Sequence, residues 1–250
     1  MWRENVKKKI EELKNSIFFV NKLYLVVLFL LIVIIDGTLA FFSFASYVFI
    51  YLWNIVTTRL PIDNKGKYKC VTKVYKRAND YELKVDIWYP NELKEKYPLV
   101  VFAHGGGWIS GFRNQPNNIS WCKYLAANEF AVASVDYRFG IKNDMQDILS
   151  DYDEALFYLK NHTDELKICP NKIVLMGLSA GGHLSLLYSS YYSSIKDNER
   201  MKGICGVVAY YAPSDLRDLL STESRSLFAR FATITTLKEK PKIRSKKSMH

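Results

Sequence analysis

Apolar residues run almost unbroken from Ile17 to Val56, and from about Pro61 onward they fall into short runs separated by charged and turn residues. The first region divides in two. Ile17 to Ile35 is interrupted only by Asn21 and Lys22, and Thr38 to Val56 contains no charge. Each run approaches the ~20 residues that cross a ~30 Å hydrocarbon layer. Asp36-Gly37 between them is a turn signal, and an Asp is costly in lipid, so the pattern predicts a transmembrane helical hairpin with Asp36 at its tip. Lys7 to Lys14 precede the hairpin and Arg59, Lys65, Lys67 and Lys69 follow it, which by the positive-inside rule places both ends, and the domain that follows, on the cytoplasmic side. The alternative treats Leu23 to Ile35 as interfacial, leaving a single-pass anchor and an exported domain.

After Pro61 the periodicity changes. Tyr68 to Lys76 and Tyr81 to Tyr89 alternate apolar and polar residues, as in a half-exposed antiparallel pair. Leu99 to Ala103, Phe130 to Val135, Ile173 to Met176 and Ile204 to Ala209 are continuous apolar runs, as in parallel strands covered on both faces. Met145, Ile148, Leu149, Tyr152, Ala155, Leu156 and Leu159 recur at helical spacing and read as core packing. The organisation is therefore a basic flank over residues 1–16, membrane segments over 17–57, an α/β domain over 61–236 with a mostly parallel sheet, and a basic tail over 237–250.

A 250-residue chain with 49% hydrophobic and 24% charged residues has room for one sizeable core, and a wholly disordered chain is excluded. The net charge of +10 does not indicate nucleic acid, because it sits at the ends: residues 1–22 carry a net +3, residues 237–250 a net +5, and the body only +2. Cys70, Cys122, Cys169 and Cys205 lie far apart with no CxxC pair and no His at ligand spacing, so no metal site is expected.

Two glycine-rich motifs carry the chemistry. Gly177-Leu178-Ser179-Ala180-Gly181 follows an apolar strand and opens a helical stretch, Gly181 to Tyr191, which is the context a nucleophile elbow requires. Gly177 and Gly181 give clearance for a sharp turn, and Ser179 is the candidate nucleophile. His104-Gly105-Gly106-Gly107-Trp108 ends an earlier strand, and consecutive glycines let amides point into a cavity, as an oxyanion hole needs. The expected donors are Gly105, Gly106 and Ala180, with His104 and Trp108 bracing the loop.

Together with Asp136-Tyr137-Arg138 and Ala212-Pro213-Ser214-Asp215-Leu216, these motifs resemble the α/β-hydrolase superfamily from about Tyr81 to Leu216. The similarity is to its hormone-sensitive-lipase and feruloyl-esterase-like (BD-FAE-like) branch, which includes membrane-bound prenylcysteine methylesterases. The resemblance implies an α/β-hydrolase fold, a Ser-Asp-His triad acting on carboxylic esters without metal or organic cofactor, and a structural role for Asp136 and Arg138. The expected partners are a small-molecule or lipid ester and a bilayer, with no nucleic acid.

In such folds the acid and histidine follow the serine. Here the only later histidines are His183, on the serine's own helix, and His250, behind a basic run. The sheet is therefore expected to be truncated after its sixth strand and the triad incomplete. Two functions remain open: a membrane-anchored serine hydrolase with impaired activity, or a non-catalytic interaction domain on the same scaffold.

Overall fold

The computed structural model describes residues 24–31, 34, 37–57, 66–78, 81–220 and 226–238. The chain divides into two compact units, Met1–Thr58 and Arg59–His250.

In the first unit residues 24–31 are helical, and helix α1 spans Gly37–Thr57. The rings of Phe29 and Phe44 lie 6.1 Å apart. Fifteen residues along one continuous helix would separate them by about 22 Å, so the two helical stretches are not one straight helix. Asp36, the expected tip, lies outside the described residues. Among those residues no helix is long and apolar enough to cross a membrane, and the expected spanning pair finds no support there.

The second unit is built on a six-stranded sheet in the order β1-β2-β4-β3-β5-β6. The strands are β1 (Cys70–Ala78), β2 (Tyr81–Trp88), β3 (Tyr97–Ala103), β4 (Ala131–Val135), β5 (Ile168–Leu178) and β6 (Ile204–Tyr210). β1 and β2 form the antiparallel pair that their alternation predicts, and β2 also runs antiparallel to β4. β4, β3, β5 and β6 are mutually parallel. Every residue of β4 is buried, as a strand covered on both faces requires. β6 is different: as the edge strand it alternates between half-buried and exposed positions despite its apolar composition.

Helices α2 (Pro116–Ala127), α3 (Met145–Asn161) and α4 (Ala180–Ser194) cover the sheet. The stripe on α3 buries Ile148, Tyr152, Ala155, Leu156 and Leu159 in the main core with Val101, Ala133 and Leu175. Asp144 caps α3 by accepting from the Asp147 amide at 2.9 Å, while the Asp147 carboxylate accepts from the Asp144 amide, a reciprocal box that fixes where the helix starts. After α4 come α5 (Asn198–Met201), α6 (Leu216–Leu220) and α7 (Leu227–Leu237).

A fully buried carboxylate, Asp151 on α3, ties three elements together. It accepts from Lys76 Nζ of β1 at 2.7 Å and from the Nε and backbone N of Arg138, beyond β4, at 2.7 and 3.0 Å. Asp151→Ala leaves two cations facing an emptied buried position and should destabilise the fold by about 3–5 kcal/mol. Glu154→Ala removes only a half-exposed partner of Lys76, at 2.7 Å, and should cost under about 1 kcal/mol. Urea unfolding of both variants checks the contrast.

Candidate active site

β5 ends at Leu178 and α4 begins at Ala180, so Ser179 alone makes the turn from strand to helix. Its backbone sits at φ 50°, ψ −115°, a region that a non-glycine residue occupies only at a cost of order 1–3 kcal/mol. Two backbone bonds hold it: Ser179 N donates to Tyr210 O of β6 at 2.9 Å, and His183 N donates to Ser179 O at 2.9 Å. The glycines on either side have no alternative. A Cβ on Gly177 would run into the backbone of Gly181 and Gly182, and one on Gly181 would strike the carbonyls of Ala103 and His104 at the end of β3. The elbow therefore brings β3, β5 and α4 together at one point.

The glycine-rich loop after β3 lies against this turn. A Cβ on Gly105 would be 3.5 Å from the Ser179 Cβ. Gly106 and Gly107 take φ of 125° and 62°, which glycine adopts without penalty, whereas Trp108 at φ 62° is strained. Ile109 N and Ser110 N both donate to Gly106 O, closing a tight turn. The indole Nε1 of Trp108 donates to Ala180 O at 3.1 Å, which fastens the loop to the first residue of α4. Among the described residues the amides of Gly105 and Gly106 donate no hydrogen bond, and the amides of Ala180 and Gly181 belong to the unpaired first turn of a helix. Free donors beside a serine at a helix N-terminus can receive an anionic oxygen.

His104 is buried and faces away from this role. Its Nδ1 donates to Gly105 O at 2.7 Å, and its ring stacks on Tyr137 with centroids 4.2 Å apart. The Tyr137 hydroxyl donates to His104 O at 2.6 Å. Burial pushes the His104 pKa down, so the ring stays neutral near pH 7. Asp136 accepts from Arg113 Nη1 at 2.7 Å and from the Arg113 amide at 3.1 Å, and Arg113 Nε also pairs with the buried Asp86 at 3.0 Å. Arg138 is held by Asp151, so Asp136 and Arg138 both sit in ion pairs that join loops to the sheet and α3.

Among the described residues no imidazole is positioned to activate the serine. Among the described residues Ser179 Oγ has no hydrogen-bond partner. His183, one turn along α4, packs edge-on against Trp108 at 5.1 Å, and its buried Nδ1 is unpartnered. His162 bonds to Tyr158 O at the far end of α3. Asp215 is half-buried and bound to Arg217, which holds its carboxyl at about 2. His250 lies outside the described residues.

Tyr137, Arg113 and Asp86 escaped the sequence reading. Asp136-Tyr137-Arg138 pointed to its two charged members, but the bond made by the middle residue crosses 33 positions to His104 and has no local signature.

The profile of the BD-FAE family matches residues 85–248, well over half of the chain. The chain belongs to the BD-FAE family of α/β-hydrolases. It is 30% identical over 102 residues to the isoprenylcysteine alpha-carbonyl methylesterase ICME of Arabidopsis thaliana, across 41% of this chain and 23% of that protein. To an AB hydrolase superfamily protein of Schizosaccharomyces pombe it is 35% identical over 95 residues, across 37% of this chain and 27% of the relative. Among solved structures, the esterase Est2 of Thermogutta terrifontis is 32% identical with a TM-score of 0.45, covering 54% of this chain and 48% of Est2. The chain thus spans about a quarter of the length of these curated relatives and about half that of Est2.

Burial holds the His183 pKa down at about 4, against about 6.5 for an unfolded histidine. Below pH 6.5 the unfolded chain takes up this proton and the folded chain does not, so the contribution is fully present above 6.5 and shrinks as pH falls towards 4. Urea unfolding should show stability falling between pH 6.5 and 5, with a shallower fall in His183→Phe.

Proposed function

We propose that this BD-FAE member is a serine hydrolase acting on carboxylic esters through an acyl-serine intermediate. The observation that carries the reading is the close approach of Gly105 to Ser179, where a Cβ on Gly105 would lie 3.5 Å from the Ser179 Cβ, which sets free loop amides beside a half-buried serine held in a strained turn. In the reaction the Ser179 oxygen attacks the ester carbonyl, forming a C–O bond while the carbonyl electron pair moves onto oxygen. The amides of Gly105, Gly106 and Ala180 stabilise that charge. Collapse expels the alcohol, which takes a proton, and water then adds to the acyl carbon and releases Ser179 and the acid.

The proton from Ser179 needs an acceptor. We propose that the triad acid and histidine come from outside the described residues, and that without them turnover is limited to the ~10³ to 10⁴-fold over water that oxyanion binding and positioning provide. The methylesterases among the relatives suggest an ester carried on a lipid-modified group as substrate. The exposed apolar residues of the first unit, among them Phe41, Phe42, Phe49 and Trp53, favour membrane association through residues 17–57, and the basic residues flanking that region favour the cytoplasmic side for the hydrolase unit. An exported, single-anchor arrangement is the alternative.

A second reading, a non-catalytic interaction domain on the hydrolase scaffold, is favoured by Ser179 Oγ having no hydrogen-bond partner among the described residues.

A fluorophosphonate probe separates the two. The chain should acquire one covalent adduct, mapped by mass spectrometry to Ser179 and absent in Ser179→Ala. Labelling at no serine, or equal labelling of the variant, would leave only the scaffold reading.

A further inference from the structure

Helix α7 is amphipathic in the reverse of the usual sense. Its buried face is Ala232, Thr233 and Thr236, all at 0% exposure, with the two hydroxyls satisfied internally by Ala229 O and Ala232 O. Its apolar residues point the other way: Leu227, Phe228, Phe231 and Ile234 are 82%, 56%, 60% and 36% exposed. At 100° per residue these four fall within about 120° of one face. Apart from the Phe228 ring, whose edge reaches back over Gly107, this stripe of Leu227, Phe231 and Ile234 is left largely uncovered by the described residues.

The inner face explains why the helix sits where it does. Thr236 occupies the space that a side chain at Gly140 would need, and Ala232 and Phe228 close over Gly107, so α7 rests on the glycine-rich loop beside Ser179. Next to Gly140, Phe139 and Ile141 are themselves 39% and 62% exposed, and Lys238 Nζ reaches back to Lys142 O at 3.2 Å.

The sequence says what covers the stripe. Directly after the helix, Lys238, Lys240, Lys242, Arg244, Lys246 and Lys247 follow within ten residues against a single acid, Glu239. An outward apolar stripe joined to a dense cationic run matches a surface that is apolar below and anionic above, which is the headgroup and acyl boundary of an acidic bilayer. An acidic protein or nucleic acid would satisfy the cations and leave the phenylalanines in water.

We propose that α7 and the basic run after it dock on an anionic lipid surface, bringing the glycine-rich loop and Ser179 to the membrane boundary. This contact is independent of the apolar first unit and does not require Ser179 to be catalytic.

The test must report on α7 itself, because the first unit is a second candidate for lipid contact. A photoreactive phenylalanine analogue is placed at position 231 of the full chain, and separately at position 227. The protein is mixed with phosphatidylcholine vesicles, with or without about 30% phosphatidylserine. Irradiation should give lipid adducts at both positions, at least about fivefold more with the acidic vesicles. The triple change Lys240→Glu, Lys242→Glu and Lys246→Glu should abolish that excess. Equal yields on both vesicles, an excess that survives the triple change, or cross-links to a second copy of the chain instead of lipid would overturn the proposal.

Discussion

The approach of Gly181 to the carbonyls of Ala103 and His104 is closer than any residue bearing a Cβ allows, and the geometry of the site follows from it. With α4 this near the end of β3, the single residue between β5 and α4 has to turn through a conformation that L-residues avoid. Ser179 is that residue, at φ 50°. The same closeness brings the loop after β3 within van der Waals reach of the serine at Gly105. Trp108 then locks the loop to α4 through its indole bond to Ala180 O, and Tyr137 fixes the loop's root by donating to His104 O. Ser179 and the loop amides are thus held together by packing in the described sheet and helices.

Much of this was legible because it depends on local pattern. The six strands follow runs of alternating or continuous apolar residues, and the two glycine motifs stand at strand ends where their conformational freedom is needed. Elements whose logic is non-local were not legible. α2 is capped by neither a side-chain bond nor an acidic first turn, and buries the polar Asn118 and Ser120 alongside Cys122 and Ala126, so it offers little apolar periodicity. α7 has its stripe on the outside, so the usual rule that apolar means buried misplaces it. The Asp86-Arg113-Asp136 and Lys76-Asp151-Arg138 networks join residues 13 to 75 positions apart, and spacing alone cannot pair them.

The chain's charge has a division of labour. Within the hydrolase unit, buried acids are met by specific cations: Asp151 by Lys76 and Arg138, Asp86 by Arg113. These pairs fasten loops to the sheet around the site, and breaking one partner is costly because the other is left desolvated. The excess positive charge is carried mainly at the two ends of the sequence, next to the segments with the most exposed apolar side chains. A nearly neutral body flanked by cationic, apolar borders suits the proposed hydrolase acting at a surface.

The central claim is that packing forces Ser179 into a strained backbone, and one comparison of stabilities tests it directly. Ser179 Oγ makes no hydrogen bond among the described residues, so removing it costs little, and the two variants Ser179→Ala and Ser179→Gly differ mainly in backbone freedom. At an unstrained helical position glycine would be the less stable of the pair by about 1 kcal/mol. If the turn is strained as described, urea unfolding should instead find Ser179→Gly more stable than Ser179→Ala by about 1 kcal/mol or more. A glycine variant less stable than the alanine one would contradict the account.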